Sequence, residues 1–203
     1  MKSTETQQRE RKKLFEKTTL KHLDDLYATA LRLCRNERDA EDLVQETYLK
    51  GFKYFHQYTQ GTNCRAWLFK ILRNTFINAY RRKAKEREIL QRQENGSLQK
   101  SLICPDSVER FANPEQRVLY SSLGDDVVKA LDGLRPEFRM VVVLSDLQGF
   151  SYKEIAAIME VPIGTVMSRL FRARRTLRAE LRQFGIQQGY LEPMPLKLAV
   201  GSS

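Results

Sequence analysis

The longest apolar run in the 203-residue chain, MVVVLSDL at 140–147, falls far short of the roughly 20 residues a helix needs to cross a bilayer. The amino-terminal MKSTETQQRERKK likewise has no apolar signal-peptide core. Both absences lead to the expectation of a soluble, cytoplasmic protein. Cysteine is scarce: Cys34, Cys64 and Cys104 are odd in number, far apart and in no CxxC pair. That pattern excludes a disulfide framework and a zinc site, and the three are expected to be reduced structural thiols. Only two histidines occur, His22 and His56, and they stand alone. With no Walker glycine loop and no HExxH, the expectation is a protein without catalysis, metal or cofactor. Ten glycines and six prolines leave long segments uninterrupted, and these carry helical rather than alternating periodicity. The expected fold is therefore all-α. VVVL at 141–144 is the one β-like run, and it reads as a buried helix between a start at Arg135-Pro136-Glu137 and a stop at Gly149.

What the chain has in plenty is charge. Thirty-five Lys and Arg stand against 25 Asp and Glu, a formal net charge of +10. Because acids are numerous too, the excess must lie in patches, which favours a nucleic-acid partner over uniform solubilising charge. Two periodic blocks carry these patches. The organisation read from them is a tail at 1–13, a first domain at 14–92, a linker at 93–113, a second domain at 114–187 and a tail at 188–203. The linker assignment rests on Gly96, Ser97 and Pro105 amid weak periodicity.

In the second block, Ser151-Tyr-Lys-Glu154 has the form of a capping box, with Phe150 and Ile155 at the two hydrophobic-staple positions. The short helix so begun ends near Glu160, and Pro162 suits the start of the next. Helix, tight turn, helix is the arrangement in which the second helix enters the major groove of DNA. On that helix Val166, Leu170, Ala173 and Leu177 share one face, whereas Ser168, Phe171, Arg172 and Arg175 point the other way. Arg169 and Arg174 lie on its shoulders, placed for phosphates. Arg172 is the candidate reader of guanine, because its fork of donors matches N7 and O6, and Phe171 suits a thymine methyl. A solvated basic helix on a protein-binding module is the blander alternative.

The first block holds two contrasting segments. DAEDLVQETYLKGFKYF (39–55) is amphipathic, with Leu43, Val44, Phe52 and Phe55 available for a core and Asp42, Gln45, Glu46, Leu49 and Lys53 mostly outside. An acidic face containing Leu49 suits a protein partner rather than DNA, although a charge run is often only a solvated face. GTNCRAWLFKILRNTFINAYRRK (61–83) places Leu68, Leu72, Phe76 and Ala79 on one stripe and Trp67, Lys70, Asn74, Asn78 and Arg81 on another. Aromatic, amide and cationic groups together suit unpaired bases, and residues 65–92 carry nine Lys or Arg against two Glu. The alternative is that Trp67 is core and the asparagines are merely solvated.

DAEDLVQETYLKGF, GTNCRAWLFKILRNTFINAYRRK and FSYKEIAAIMEVPIGTVMSRLFRARRTLR (150–178), in this order, resemble the extracytoplasmic-function (ECF) group of bacterial sigma factors in the sigma-70 family. The resemblance implies a region-two domain and a region-four domain. It implies that Asp42, Leu43, Gln45 and Glu46, with Leu49 on the same helix, dock on the clamp helices of the largest subunit of core RNA polymerase, while region four meets the flap of the second-largest. It further implies that the loop from His56 to Cys64, including Tyr58, Gly61, Thr62 and Asn63, holds a base flipped from the non-template strand. Trp67, Lys70, Asn74, Asn78 and Arg81 would serve minus-10 capture, and Ser168, Arg169, Phe171, Arg172, Arg174 and Arg175 the minus-35 duplex. Met167 departs from the usual Arg or Lys and cannot make a charge-assisted bond to phosphate. GTN before the tryptophan and GTVMSRL are most similar to the branch that answers thiol-oxidative stress under an anti-sigma partner. The expected function is that of an alternative sigma factor giving core polymerase its promoter specificity. The rivals are a conventional helix-turn-helix regulator acting on duplex without polymerase, and an RNA-binding or anti-termination module; neither needs the acidic helix.

Overall fold

The computed structural model describes residues 2–94 and 124–192, and these fold into helices with no strand among the described residues. The expected linker, Cys104 and the start of the second domain through Leu123 lie almost wholly outside them, as does the tail beyond Glu192.

The first domain has four helices, α1 (Lys2–Thr19), α2 (Leu23–Cys34), α3 (Glu37–Tyr54) and α4 (Cys64–Glu94). Helix α1 occupies most of the segment expected to be a tail. Its sequence explains this, being rich in Glu, Gln, Lys and Arg, which lose little rotamer freedom in a helix. Its seat on α3 is aromatic: Phe15 meets Phe52 and Phe55 edge-on at 5.4 and 5.2 Å. Arg11 adds hydrogen bonds to the carbonyls of Phe52 and Lys53 at 2.8 and 3.2 Å. The approach is close because α3 carries Gly51 there, where a Cβ would stand 3.4 Å from the Phe15 ring. Helix α3 is started by Asn36, whose side chain accepts from the Asp39 amide at 2.7 Å. Leu43, Val44 and Phe55 are buried, as the spacing predicts, but Phe52 lies partly in solvent.

The second domain consists of α5 (Asp125–Gly133), α6 (Pro136–Val142), α7 (Tyr152–Met159), α8 (Ile163–Glu180) and α9 (Arg182–Gln187). Between α6 and α7 the chain forms a π-helical turn, Val143–Leu147. Val141 to Leu144 are all buried, so the β-like run is a buried helical one. The expected capping box is present: the Ser151 side chain accepts from the Glu154 amide, and Glu154 accepts from the Ser151 amide at 2.9 Å. Helix α7 ends at Glu160 with φ +52, and Pro162 caps α8. Val166, Leu170 and Ala173 form the buried face of α8.

The two domains share one contiguous apolar core. Phe69 of α4 meets Phe150, just ahead of α7, edge-on at 4.9 Å, and both rings are buried. Beside this seam lies the buried guanidinium of Arg139, 2% exposed. It donates to the carbonyls of Leu131, Asp132 and Leu134 at 2.9, 2.8 and 3.0 Å, and across the seam to Leu33 at 3.2 Å. A buried charge is tolerated when its donors are satisfied, and carbonyls at the ends of α2 and α5 supply partial negative charge as well. Arg35, in the left-handed region at the end of α2, reaches the Asp132 carbonyl and carboxylate from the other side.

Candidate nucleic-acid and partner-binding surfaces

On α3, Asp42, Gln45 and Glu46 are exposed and Leu49 is 72% exposed, a large apolar side chain standing in an acidic surface. Leu43 differs: at 5% exposure it belongs to the core and supports the helix from within. Glu46 is partly neutralised by Lys50 at 2.7 Å. This face needs apolar contact and positive charge to complement it.

The loop before α4 is locked by its own hydrogen bonds. Tyr58 donates to the Thr62 carbonyl and Thr62 to the Thr59 carbonyl, each at 2.7 Å, and Gly61 takes φ +85 between them. Asn63 caps α4, its side-chain oxygen accepting from the Ala66 amide at 3.0 Å. The Tyr58 ring stacks on Phe55 at 5.8 Å and leans on Trp67 at 5.2 Å. Trp67 is accordingly half-buried: it anchors the loop and is neither wholly core nor a free platform. Asn74 is half-buried, its side-chain oxygen accepting from Arg73 at 2.6 Å, while Asn78 and Arg81 are exposed. Lys70 is exposed, but its ammonium lies 3.0 Å from Glu160.

That carboxylate comes from the second domain, and it is not alone. Glu160 also accepts from Arg73 at 3.1 Å. Glu154, the capping-box residue, accepts from the Asn63 side-chain nitrogen at 2.7 Å. Arg65 donates to Asp25 at 2.9 Å and to the Gln148 carbonyl and side-chain oxygen at 3.0 and 2.5 Å, with its guanidinium 4.3 Å from the Phe150 ring centre. Hydrogen bonding from Lys70 and the charges of Lys70 and Arg73 hold the Glu160 carboxyl below its ordinary value. For Glu154 the lowering comes first from the Ser151 amide and hydroxyl, with Asn63 contributing. Arg65, Arg73, Glu154 and Glu160 carry no motif that marks them as a group; each pairing joins residues 83 to 91 positions apart in sequence.

On α8, Ser168, Arg172 and Arg175 are exposed and Phe171 is 70% exposed, whereas Arg169 is half-buried. Among the described residues no acid pairs with Arg169, Arg172 or Arg175. Arg174 is engaged within its own domain, donating to Asp146 at 2.5 and 3.1 Å and to Ser145 at 3.3 Å. Burial alone would raise the Asp146 carboxyl, but the hydrogen bonds and charge of Arg174, with Ser145, outweigh it and hold it below its ordinary value. The π turn places Asp146 there, so Arg174 fastens α8 to the domain instead of presenting itself for phosphate. Met167 is half-exposed on the reading helix, an apolar surface where a cation is usual in the resembled family.

Among the described residues no group of acids, cysteines and histidines is arranged to hold a metal, and no helix is long and apolar enough to cross a membrane. Burial raises the Cys34 thiol to about 12, and raises Cys64 as well.

A family model described as Sigma-70 region 2 matches residues 19–86, and one described as Sigma-70, region 4 matches residues 125–177. The chain is 40% identical over 161 residues to the ECF RNA polymerase sigma factor SigE of Mycolicibacterium smegmatis, covering 77% of this chain and 57% of that protein. It is 32% identical over 145 residues to the ECF RNA polymerase sigma-E factor of Escherichia coli K12, covering 68% of this chain and 72% of that one. Among solved structures, the sigma factor RpoE from Bartonella quintana, crystallised with the anti-sigma factor NepR, superposes with a TM-score of 0.63 at 33% identity over 84% of this chain and 98% of that one. CnrH in complex with the cytosolic domain of CnrY, at 24% identity and a TM-score of 0.59, has the same fold. Two sigma regions in order, carried on the helices just described and matched along most of the length of a sigma-E factor, mean that this chain belongs to the ECF sigma factors of RNA polymerase.

Proposed function

We propose that the chain is an alternative sigma factor that binds core RNA polymerase and directs promoter-specific initiation, without catalysis of its own. The observation that carries this reading is that one chain bears three chemically distinct surfaces: the acidic face of α3 around Leu49, the amide and cationic face of α4, and the exposed Phe171, Arg172 and Arg175 of α8. The first suits the clamp helices of the largest polymerase subunit, with Asp42, Gln45 and Glu46 flanking the apolar Leu49. The third suits the major groove at the minus-35 element, with Ser168 and Arg172 over base edges and Arg169 toward phosphate. The second suits unpaired non-template bases of the minus-10 element, drawing on Asn74, Asn78, Lys70 and the Tyr58–Trp67 loop. Opening duplex costs about 1 to 2 kcal/mol per step, and aromatic or amide capture of a few bases is of the size needed to offset it. Run-off transcription with purified core polymerase on genomic fragments tests the reading: defined transcripts that depend on this protein are expected, and their absence, with duplex binding by the protein alone, would favour a conventional regulator instead.

An anti-sigma partner is part of the same reading, since RpoE of Bartonella quintana was crystallised with the anti-sigma factor NepR. Placement in the thiol-oxidative-stress branch rests on the GTN and GTVMSRL stretches. It agrees with the raised Cys34 and Cys64 thiols, which are poor nucleophiles at neutral pH and so unsuited to sensing. Run-off activity of the protein alone should then be unchanged by a thiol oxidant.

A further inference from the structure

The packing of the two domains treats the three surfaces unequally. The α3 face stays exposed, with Leu49 the clearest case, and so does the α8 face around Phe171. The beginning of the α4 face does not, although Asn78 and Arg81 further along it are exposed. At its start the Asn63 side-chain nitrogen is taken by Glu154, and about two to three turns further on Lys70 and Arg73 are taken by the two oxygens of Glu160. Both acids lie on or just after α7, the helix that precedes the reading helix, and the carboxyls of both are held below their ordinary value, Glu160 by the donors of α4 and Glu154 first by Ser151. A carboxylate between an ammonium and a guanidinium offers the same acceptors, in the same place, as a phosphate of a bound strand.

We propose that this packing is an intramolecular mask over the strand-capture face alone, in which Glu154 and Glu160 occupy the donors of Asn63, Lys70 and Arg73 that a single strand would otherwise engage. The inference rests on the assignment of α4 to strand capture made above. It gives the free chain a defined state: able to dock on polymerase and to meet duplex, unable to seize a lone strand. The seam formed by Phe69, Phe150 and Arg139 holds the domains together, while the exposed carboxylate contacts decide which face is covered. Exposed ion pairs are individually weak, so the mask is reversible. A strand and the carboxylates compete for one set of donors, and apparent strand affinity is reduced by the fraction of molecules closed.

The test uses the full chain and fluorescence anisotropy with a fluorescein-labelled, mixed-sequence single-stranded DNA. Glu154→Gln with Glu160→Gln keeps the capping box, which accepts Gln as well as Glu. It should bind the strand about fivefold more tightly than wild type, the size expected from removing exposed charge pairs. Asp126→Asn on α5 with Glu180→Gln at the end of α8 removes the same charge away from the Asn63, Lys70 and Arg73 contacts and should change strand binding little. Equal gains in both variants, or no gain in the first, would overturn the mask. Small-angle scattering supplies a readout free of DNA: Glu160→Lys should enlarge the free chain and Glu160→Lys with Lys70→Glu should restore its size, whereas three indistinguishable profiles would overturn the proposal. Run-off transcription reports separately on the sigma assignment, because neither anisotropy nor scattering involves polymerase.

Discussion

Helices α4 and α8 carry the same signature in sequence, an apolar stripe backed by Lys or Arg, yet they stand in opposite states. The cations at the start of α4 are paired to acids: Arg65 with Asp25, and Lys70 and Arg73 with Glu160. On α8 only Arg174 is so engaged among the described residues, and Arg172 and Arg175 face solvent. The difference teaches that a basic stripe reports where negative charge is wanted and not whether it is already supplied. In α8 the nearest acid is local, four residues of π turn away from α6; in α4 it arrives from a separate domain.

The contrast can be tested at its joint first. Arg139→Ala would take one donor from each of four carbonyls at the seam and should destabilise the protein by about 3 to 5 kcal/mol in urea unfolding. Within α8, neighbouring residues should separate fold from function. Leu170→Ala should cost about 2 to 5 kcal/mol of stability, while Phe171→Ala should cost less than about 0.5 kcal/mol and show its effect in duplex affinity. Arg172→Ala should lose about 1 to 3 kcal/mol at one minus-35 base pair, and a uniform loss over all sequences would make it a phosphate contact. Arg174→Ala should instead lower stability by up to about 1 kcal/mol without changing which bases are preferred. On α4, Asn74→Ala should reduce run-off transcription by roughly fivefold, the effect of one hydrogen bond, with affinity for core polymerase unchanged. The smallest effect is that of pH. Because the Glu160 carboxyl is held below its ordinary value of 4.5 by Lys70 and Arg73 of the other domain, it favours the packed form fully above 4.5 and ceases to as pH falls through the lowered value. Scattering at stepped pH should therefore show a constant size from neutral pH to near 5 and an increase below 4.5.

Local chemistry made much of this legible in advance. The capping box at Ser151, the staple of Phe150 and Ile155, and the buried face of α8 are all matters of spacing within a few residues, and the structure has them. On α4 the period gives the buried Leu68, Leu72 and Phe76 and the exposed Asn78 and Arg81, but not the half-buried Trp67 and Asn74. What spacing could not convey is a residue with two duties: Glu154 completes its own helix and also meets Asn63, 91 residues earlier. Nor could it place Asp146 against Arg174, because the π turn breaks the period from which directions are read. The period places Leu43 with Val44 in the core, where the structure has it, whereas the family resemblance counts it among the docking residues. Helix α1 has no apolar stripe to mark it in sequence; its hold on α3 comes from the Phe15 ring, the Arg11 guanidinium and the Tyr48 hydroxyl, which donates to the Thr19 carbonyl.

Glu160 closes α7 in the left-handed backbone region, at φ +52, where glycine or asparagine is the comfortable occupant and a longer side chain costs about 1 to 2 kcal/mol. Glycine there would relax the turn and could not reach Lys70 or Arg73. A corner of the second domain thus bears a strained residue whose charged contacts, among the described residues, lie on the other domain, so the helix-turn-helix gives up some of its own stability to a contact between domains.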